Sequence, residues 1–108
     1  MPTPDDKLQE IIDRAVEGGA TSVTVEFAKE GGLEVCFMFG ETGVGGILVD
    51  RNLEADVMTL IAQRAGLDRR PTGVMHCASR GKELDIHVEE YNSFGETAFT
   101  LTFPIQKR

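Results

Sequence analysis

Twice along this chain the spacing of apolar residues changes from a helical period to a period of two, and that doubled change limits the fold more than any single residue does. In the first stretch, residues 4–49, Thr3 is placed to cap a helix and Pro4 suits its first position. Asp6 stands three residues on, where a carboxylate satisfies free backbone donors. Leu8, Ile11, Ile12, Ala15 and Val16 then share one helical face, and Gly18-Gly19 predicts the stop. Beyond it Val23, Val25 and Phe27 alternate with Ser22, Thr24 and Glu26, as in a strand with one wet side. Lys29-Glu30-Gly31-Gly32 predicts a reversal into Leu33, Val35, Phe37 and Phe39, opposed by Glu34, Cys36 and Met38. A third strand is expected over residues 44–49, with Gly45-Gly46 as the place for a bulge.

The second stretch, residues 53–103, follows the same plan. Asp50 or Asn52 is expected to cap a helix whose stripe is Leu53, Val57, Leu60, Ile61 and Ala65, closed by Gly66. The polar turn Asp68-Arg69-Arg70-Pro71-Thr72-Gly73 leads to a hairpin of residues 74–78 and 83–89, in which Leu84, Ile86 and Val88 alternate with Asp85 and His87. Tyr91-Asn92-Ser93-Phe94-Gly95 is expected to be a longer connection into a last strand, residues 97–103, ended by Pro104. The hairpins echo one another in Gly32-Leu33-Glu34-Val35 and Glu83-Leu84-Asp85-Ile86, a repeat of layout rather than of detail.

Two helices and six short strands predict an α+β domain: two αβββ units forming a mainly antiparallel six-stranded sheet with helices on one face, PAS-like or profilin-like in arrangement. With 108 residues there is enough surface for one core, so a single domain over residues 1–108 is expected. The other face would carry Thr24, Glu26, Glu34, Asp85, His87, Thr100 and Thr102, either as solvated surface or as a place where another domain docks.

Eighteen acidic against eleven basic residues give a net charge of −7, which repels phosphate backbones and acidic membrane faces and argues against a nucleic-acid partner. No apolar run approaches the roughly 20 residues that cross a bilayer, and Met1-Pro2-Thr3-Pro4-Asp5-Asp6 has no signal-peptide pattern, so a cytoplasmic location without membrane insertion is expected. Cys36 and Cys77 are too few for a disulfide framework and read as packed thiols.

No catalytic constellation emerges. His76, Cys77 and His87 have metal-ligating chemistry, but neighbours on a strand face opposite ways, so only one of His76 and Cys77 can join His87, and a fourth ligand is missing. Nothing lowers a thiol pKa for a Cys-His pair, and Glu89-Glu90 reads as solvated charge. Phe27, Phe37, Phe39, Phe99 and Phe103 read as core, while Met38, Met58 and Met75 read as gap-fillers that could also line a ligand cavity. Gly40-Glu41-Thr42-Gly43-Val44-Gly45-Gly46 lacks the lysine of a phosphate-binding loop. No cofactor or metal is expected.

The order of motifs in the second half does carry a resemblance. Leu60-Ile61-Ala62-Gln63-Arg64-Ala65-Gly66-Leu67-Asp68, then Arg69-Arg70-Pro71-Thr72-Gly73, then Gly81-Lys82-Glu83-Leu84-Asp85-Ile86-His87-Val88 and finally Phe94-Gly95-Glu96-Thr97 resembles the domain preceding the motor in type II secretion and type IV pilus ATPases. Gly18-Gly19-Ala20-Thr21-Ser22-Val23-Thr24-Val25-Glu26 stands where that family has an Arg-Gly-Ala-Ser-Asp-Ile-His-Ile-Glu segment. The resemblance implies a PAS-like domain that sits beside a RecA-like motor in a hexameric ring and moves against it.

Several of the family's arginines are absent. His87 replaces one, Glu34, Cys36 and Met38 occupy the face of the Arg-rich strand, and the loop after Pro71 has none before Arg80. An imidazole or thiol cannot supply a guanidinium's fork to a phosphate. Arg69, Arg70 and Glu96 remain, and with His87 these are the residues that the resemblance would place toward a partner or nucleotide. The expectation is a non-enzymatic interaction domain, free-standing or part of a longer protein, docking onto an ATPase domain or its own copies. The alternatives are a PAS-like small-molecule sensor or a fragment of a full-length secretion ATPase.

Overall fold

A computed structural model describes residues 2–104. Its first helix, α1 (Pro4–Gly18), begins as the sequence dictates. The Asp6 N–H donates to Thr3 Oγ1 and the Thr3 N–H to Asp6 Oδ2, both at 3.1 Å, so two backbone donors are satisfied reciprocally. Gly19 ends it in the left-handed region at φ 75°, where a side chain would be strained.

Six strands follow, β1 (Ser22–Phe27), β2 (Leu33–Phe39), β3 (Thr42–Val49), then β4 (Thr72–Ser79), β5 (Lys82–Ser93) and β6 (Glu96–Thr102), with α2 (Glu54–Arg64) between β3 and β4. They form one antiparallel sheet in the order β3-β2-β1-β6-β5-β4. The expected α+β class with two αβββ units is therefore the observed one. Leu8, Ile11 and Ile12 from α1 and Val57, Met58 and Ile61 from α2 belong to one buried cluster with Val23, Val25, Val35, Met75, Ile86, Val88, Phe99 and Leu101. Both helices thus cover the same face.

The two units are not copies in space. β1, the first strand of its unit, is central, whereas its counterpart β4 is at an edge. With both helices on one face, the two meanders have opposite hands, and no rotation superimposes one unit on the other. Chain order allows this because α2 crosses from one edge strand, β3, to the opposite edge strand, β4.

Local departures from expectation have local causes. The bulge lies at Leu48, not at the glycines: Leu33 pairs with Val49 and Glu34 with Ile47, leaving Leu48 unopposed. Asp50 caps only a short 3-10 turn, Arg51–Leu53, without a side-chain bond, and α2 proper starts at Glu54. Glu54 turns back to accept the Gly32 N–H at 2.7 Å, tying the second helix to the β1–β2 turn. The connection expected at residues 91–95 is mostly strand. Tyr91 pairs with Ala98 and Ser93 with Glu96, so only Phe94 and Gly95 turn the chain, at φ 51° and 84°. Phe39 departs from the core reading of its aromatic set, being 39% exposed, and Phe94 at the hairpin turn is fully exposed. None of the helices among the described residues is long and apolar enough to cross a membrane.

Candidate functional site

The alternation along each strand, carried through the observed register, builds the helix-free face. Thr24 sits between Cys36 and Thr100, and Ser22 between Met38 and Thr102, with His87 beyond Thr102. Glu26 lies opposite Glu34. The residues expected on this face are all there, because strand side chains alternate and the register leaves no slip between β2, β1, β6 and β5 after Glu34.

At the end of that face where β1 meets β2 and β5 meets β6, a cleft of ≈ 430 Å³ opens between the strand ends. Glu26, Glu34 and Glu96 line it, with Lys29 from the β1–β2 turn and Phe94 from the hairpin tip. Ser93 Oγ donates to Glu26 Oε1, linking the hairpin to the central strand. Tyr91 stands two residue pairs below Ser93, on the same face of β5. Burial raises its phenol pKa above the ordinary value, and the Glu26 charge and hydrogen bond push the same way, against the hydrogen bond with Thr100. The phenol therefore stays protonated at neutral pH. Glu26 is half-buried while Glu34 and Glu96 are exposed, so the cleft presents a negative field with a free aromatic ring at its lip.

The residues singled out in the sequence are distributed unevenly about this cleft. Glu96 lines it, opposite Ser93. Arg69 and Arg70 are exposed in the turn between α2 and β4, at the same end of the sheet; Arg69 has φ 63°, and the Arg70 N–H donates to Leu67 O at 2.7 Å. The following carbonyl, on Pro71, accepts the Glu90 N–H at 2.7 Å and so anchors that turn to β5. His87 is elsewhere. It pairs with Thr102, six residues along β5 from the Ser93–Glu96 pair, about 20 Å at strand rise. The four do not converge on one point.

His76 and His87 share the open face, while Cys77 is buried beneath the helices. His76 Nδ1 bonds Asp85 Oδ1 across the β4–β5 pair. Burial pushes the Cys77 thiol up, opposed in part by the Arg64 guanidinium 3.4 Å from its sulfur. Cys36 is on the open face, 3.7 Å from Met38 Sδ. Among the described residues no group of three or more His, Cys, Asp or Glu could hold a metal ion. Glu89 faces the open side opposite Thr100, and Glu90 pairs with Phe99 on the other, so the two adjacent carboxylates do not work on one substrate.

Sequence reasoning missed Tyr91, Ser93 and Phe94 because the whole run was read as a loop. A signal was present: Glu89, Tyr91 and Ser93 continue the period-two alternation, and Phe94-Gly95 has the glycine of a two-residue turn. No protein-family model matches the sequence, and no curated protein matches it.

Proposed function

We propose that this chain is a non-enzymatic protein-interaction domain that engages a partner through the end of its sheet carrying Phe94, Glu96 and the Arg69-Arg70 turn. The observation that carries the reading is Phe94. Its ring is fully exposed and its backbone sits at φ 51°, so the fold gains nothing from burying it and is strained by holding it. Asn or Gly would serve the turn better. A bulky aromatic kept at an unfavourable position, above three carboxylates, is what a contact with an outside surface requires. That surface would offer an apolar socket for the ring and lysine or arginine side chains for Glu26, Glu34 and Glu96.

The resemblance to the accessory domain of secretion ATPases supports an ATPase motor domain as the partner, since Gly95-Glu96 stands at that family's Gly-Glu pair and Glu96 lines this cleft. The loss of arginines from the face supports docking over contact with nucleotide phosphates. The cleft is lined by strand and turn residues alone, without a residue of α1 or α2, and so is not itself a ligand pocket between helix and sheet.

The test is a binding assay against a purified motor domain of that family by titration calorimetry. Phe94→Asn and Arg70→Glu are each expected to weaken binding at least tenfold, about 1.4 kcal/mol, with Glu96→Lys doing the same. Unchanged affinity for all three would remove this end of the sheet as the contact.

A further inference from the structure

The two edges of the sheet are treated differently by the rest of the fold. Along β4, Gln9 Nε2 donates to Ala78 O at 2.9 Å and Arg64 Nη2 to His76 O at 3.3 Å, so side chains from both helices occupy edge-strand carbonyls. Along β3 no hydrogen bond from a side chain of the described residues plays that part, and Thr42–Val49 contains no charge and no proline, the usual devices that blunt an edge. Val44 is 58% and Ile47 52% exposed. Gly46 has no internal reason to be glycine: its φ is not positive, and an added Cβ would meet nothing within 4 Å. Glycine there weakens the strand, which points to something that approaches from outside.

We infer that β3 pairs antiparallel with β3 of a second copy, about a two-fold axis through Gly45, to form a dimer with one continuous twelve-stranded sheet. Residues directly opposite in an antiparallel pair share a face, which allows only registers that match positions of like parity. Centring on Gly45 sets Val44 opposite Gly46 of the second copy and Ile47 opposite its Gly43. Each exposed apolar side chain then covers a residue without one, on both faces and on both chains. The paired stretch, residues 43–47, stops before the bulge at Leu48. Charge favours the same partner: a chain of net charge −7 resists self-association over most of its surface, and β3 is a strip where two copies meet without opposing like charges. The guarded β4 edge closes the assembly at two, since a β3-to-β4 contact would propagate into a filament. This surface is separate from the Phe94 end, and the inference does not depend on the partner proposed there.

Light scattering and sedimentation of the whole chain test it. A mass near twice 11.8 kDa at micromolar to hundred-micromolar concentration is expected, with the dimer dissociation constant raised at least tenfold in Val44→Lys and in Ile47→Lys. Circular dichroism of each variant should match the parent, both positions being more than half exposed. In a Cys36→Ser, Cys77→Ala background, Gly45→Cys should oxidise to a disulfide-linked dimer, because residue 45 faces its own copy. Gly46→Cys should not, its symmetry mate lying two residues off along the strand and beyond disulfide reach. Phe94→Asn should leave the dimer intact, which separates failure here from failure of the motor-docking reading. A monomer throughout that range, a mass that keeps rising with concentration, or equal crosslinking at 45 and 46 would overturn the inference.

Discussion

Ser79 Oγ, on a side chain only 3% exposed, donates a 2.6 Å hydrogen bond to Asp13 Oδ1 and so pins the middle of α1 to the last residue of edge strand β4. Gln9 Nε2 donates to the same carboxylate oxygen at 2.9 Å and to Ala78 O, making one small polar clamp of four residues. The Ser79 bond, chiefly, and then the Gln9 bond and the Arg80 charge hold the Asp13 carboxyl below its ordinary pKa, against a desolvation that works the other way.

An acid-stability consequence follows from that depressed pKa. The folded state prefers Asp13 ionised more strongly than the unfolded chain does, so this contribution is complete above the unfolded value near pH 4 and is lost as pH falls through the lower, folded value. Between about pH 5 and pH 2, the wild-type melting temperature should therefore fall more steeply than that of Asp13→Asn. At pH 7 Asp13→Ala is expected to cost about 1 kcal/mol in urea unfolding. Parallel pH profiles for wild type and Asp13→Asn would refute the clamp.

Gly73 passes the C-terminal end of α2 with no room for a side chain. A Cβ built there lies 2.0 Å from the carbonyl oxygen of Ala65, a backbone atom that cannot step aside as a side-chain tip can. Gly73→Ala should destabilise the fold by about 3 kcal/mol, read as a drop in the urea midpoint with an unchanged slope. A loss under 1 kcal/mol would mean that the α2 terminus is free to move away from β4.

The two thiols should differ in reactivity. Cys77 is buried and its pKa is raised by that burial, whereas Cys36 is half-buried on the open face. At pH 8 iodoacetamide is expected to label Cys36 at least tenfold faster, with Cys77 reacting at the Cys36 rate only in urea. Equal rates in the native protein would show that β4 opens readily.

Phe94→Asn should raise stability. Asparagine tolerates φ near 51° and suits a two-residue turn ahead of glycine, so relief of strain is worth about 1 kcal/mol and a few degrees in melting temperature. A stabilised variant with weakened partner binding is the pattern of a residue kept for contact. A destabilised one would show that the ring contributes to the fold.

Much of the architecture is legible in local chemistry. The Thr3–Asp6 box, the Gly19 stop and the alternation in β1, β2, β5 and β6 each depend on residues within a few positions of one another, and each formed as expected. The second helix began later than its capping residues implied, because Glu54 is drawn to the Gly32 N–H twenty-two residues away. The candidate site was half visible: Glu96 and the arginine turn come from motif order, whereas Phe94 was hidden inside a run read as loop.

Sequence alone determined the inventory of elements, two helices and six strands in two like units, because hydrophobic period and turn chemistry act over short range. Tertiary structure alone decided the strand order, the opposite hands of the two meanders and the inequality of the two edges. Those depend on which strand finds which neighbour across distant chain segments, and the pairing of β1 with β6 is settled by burying one shared face beneath both helices.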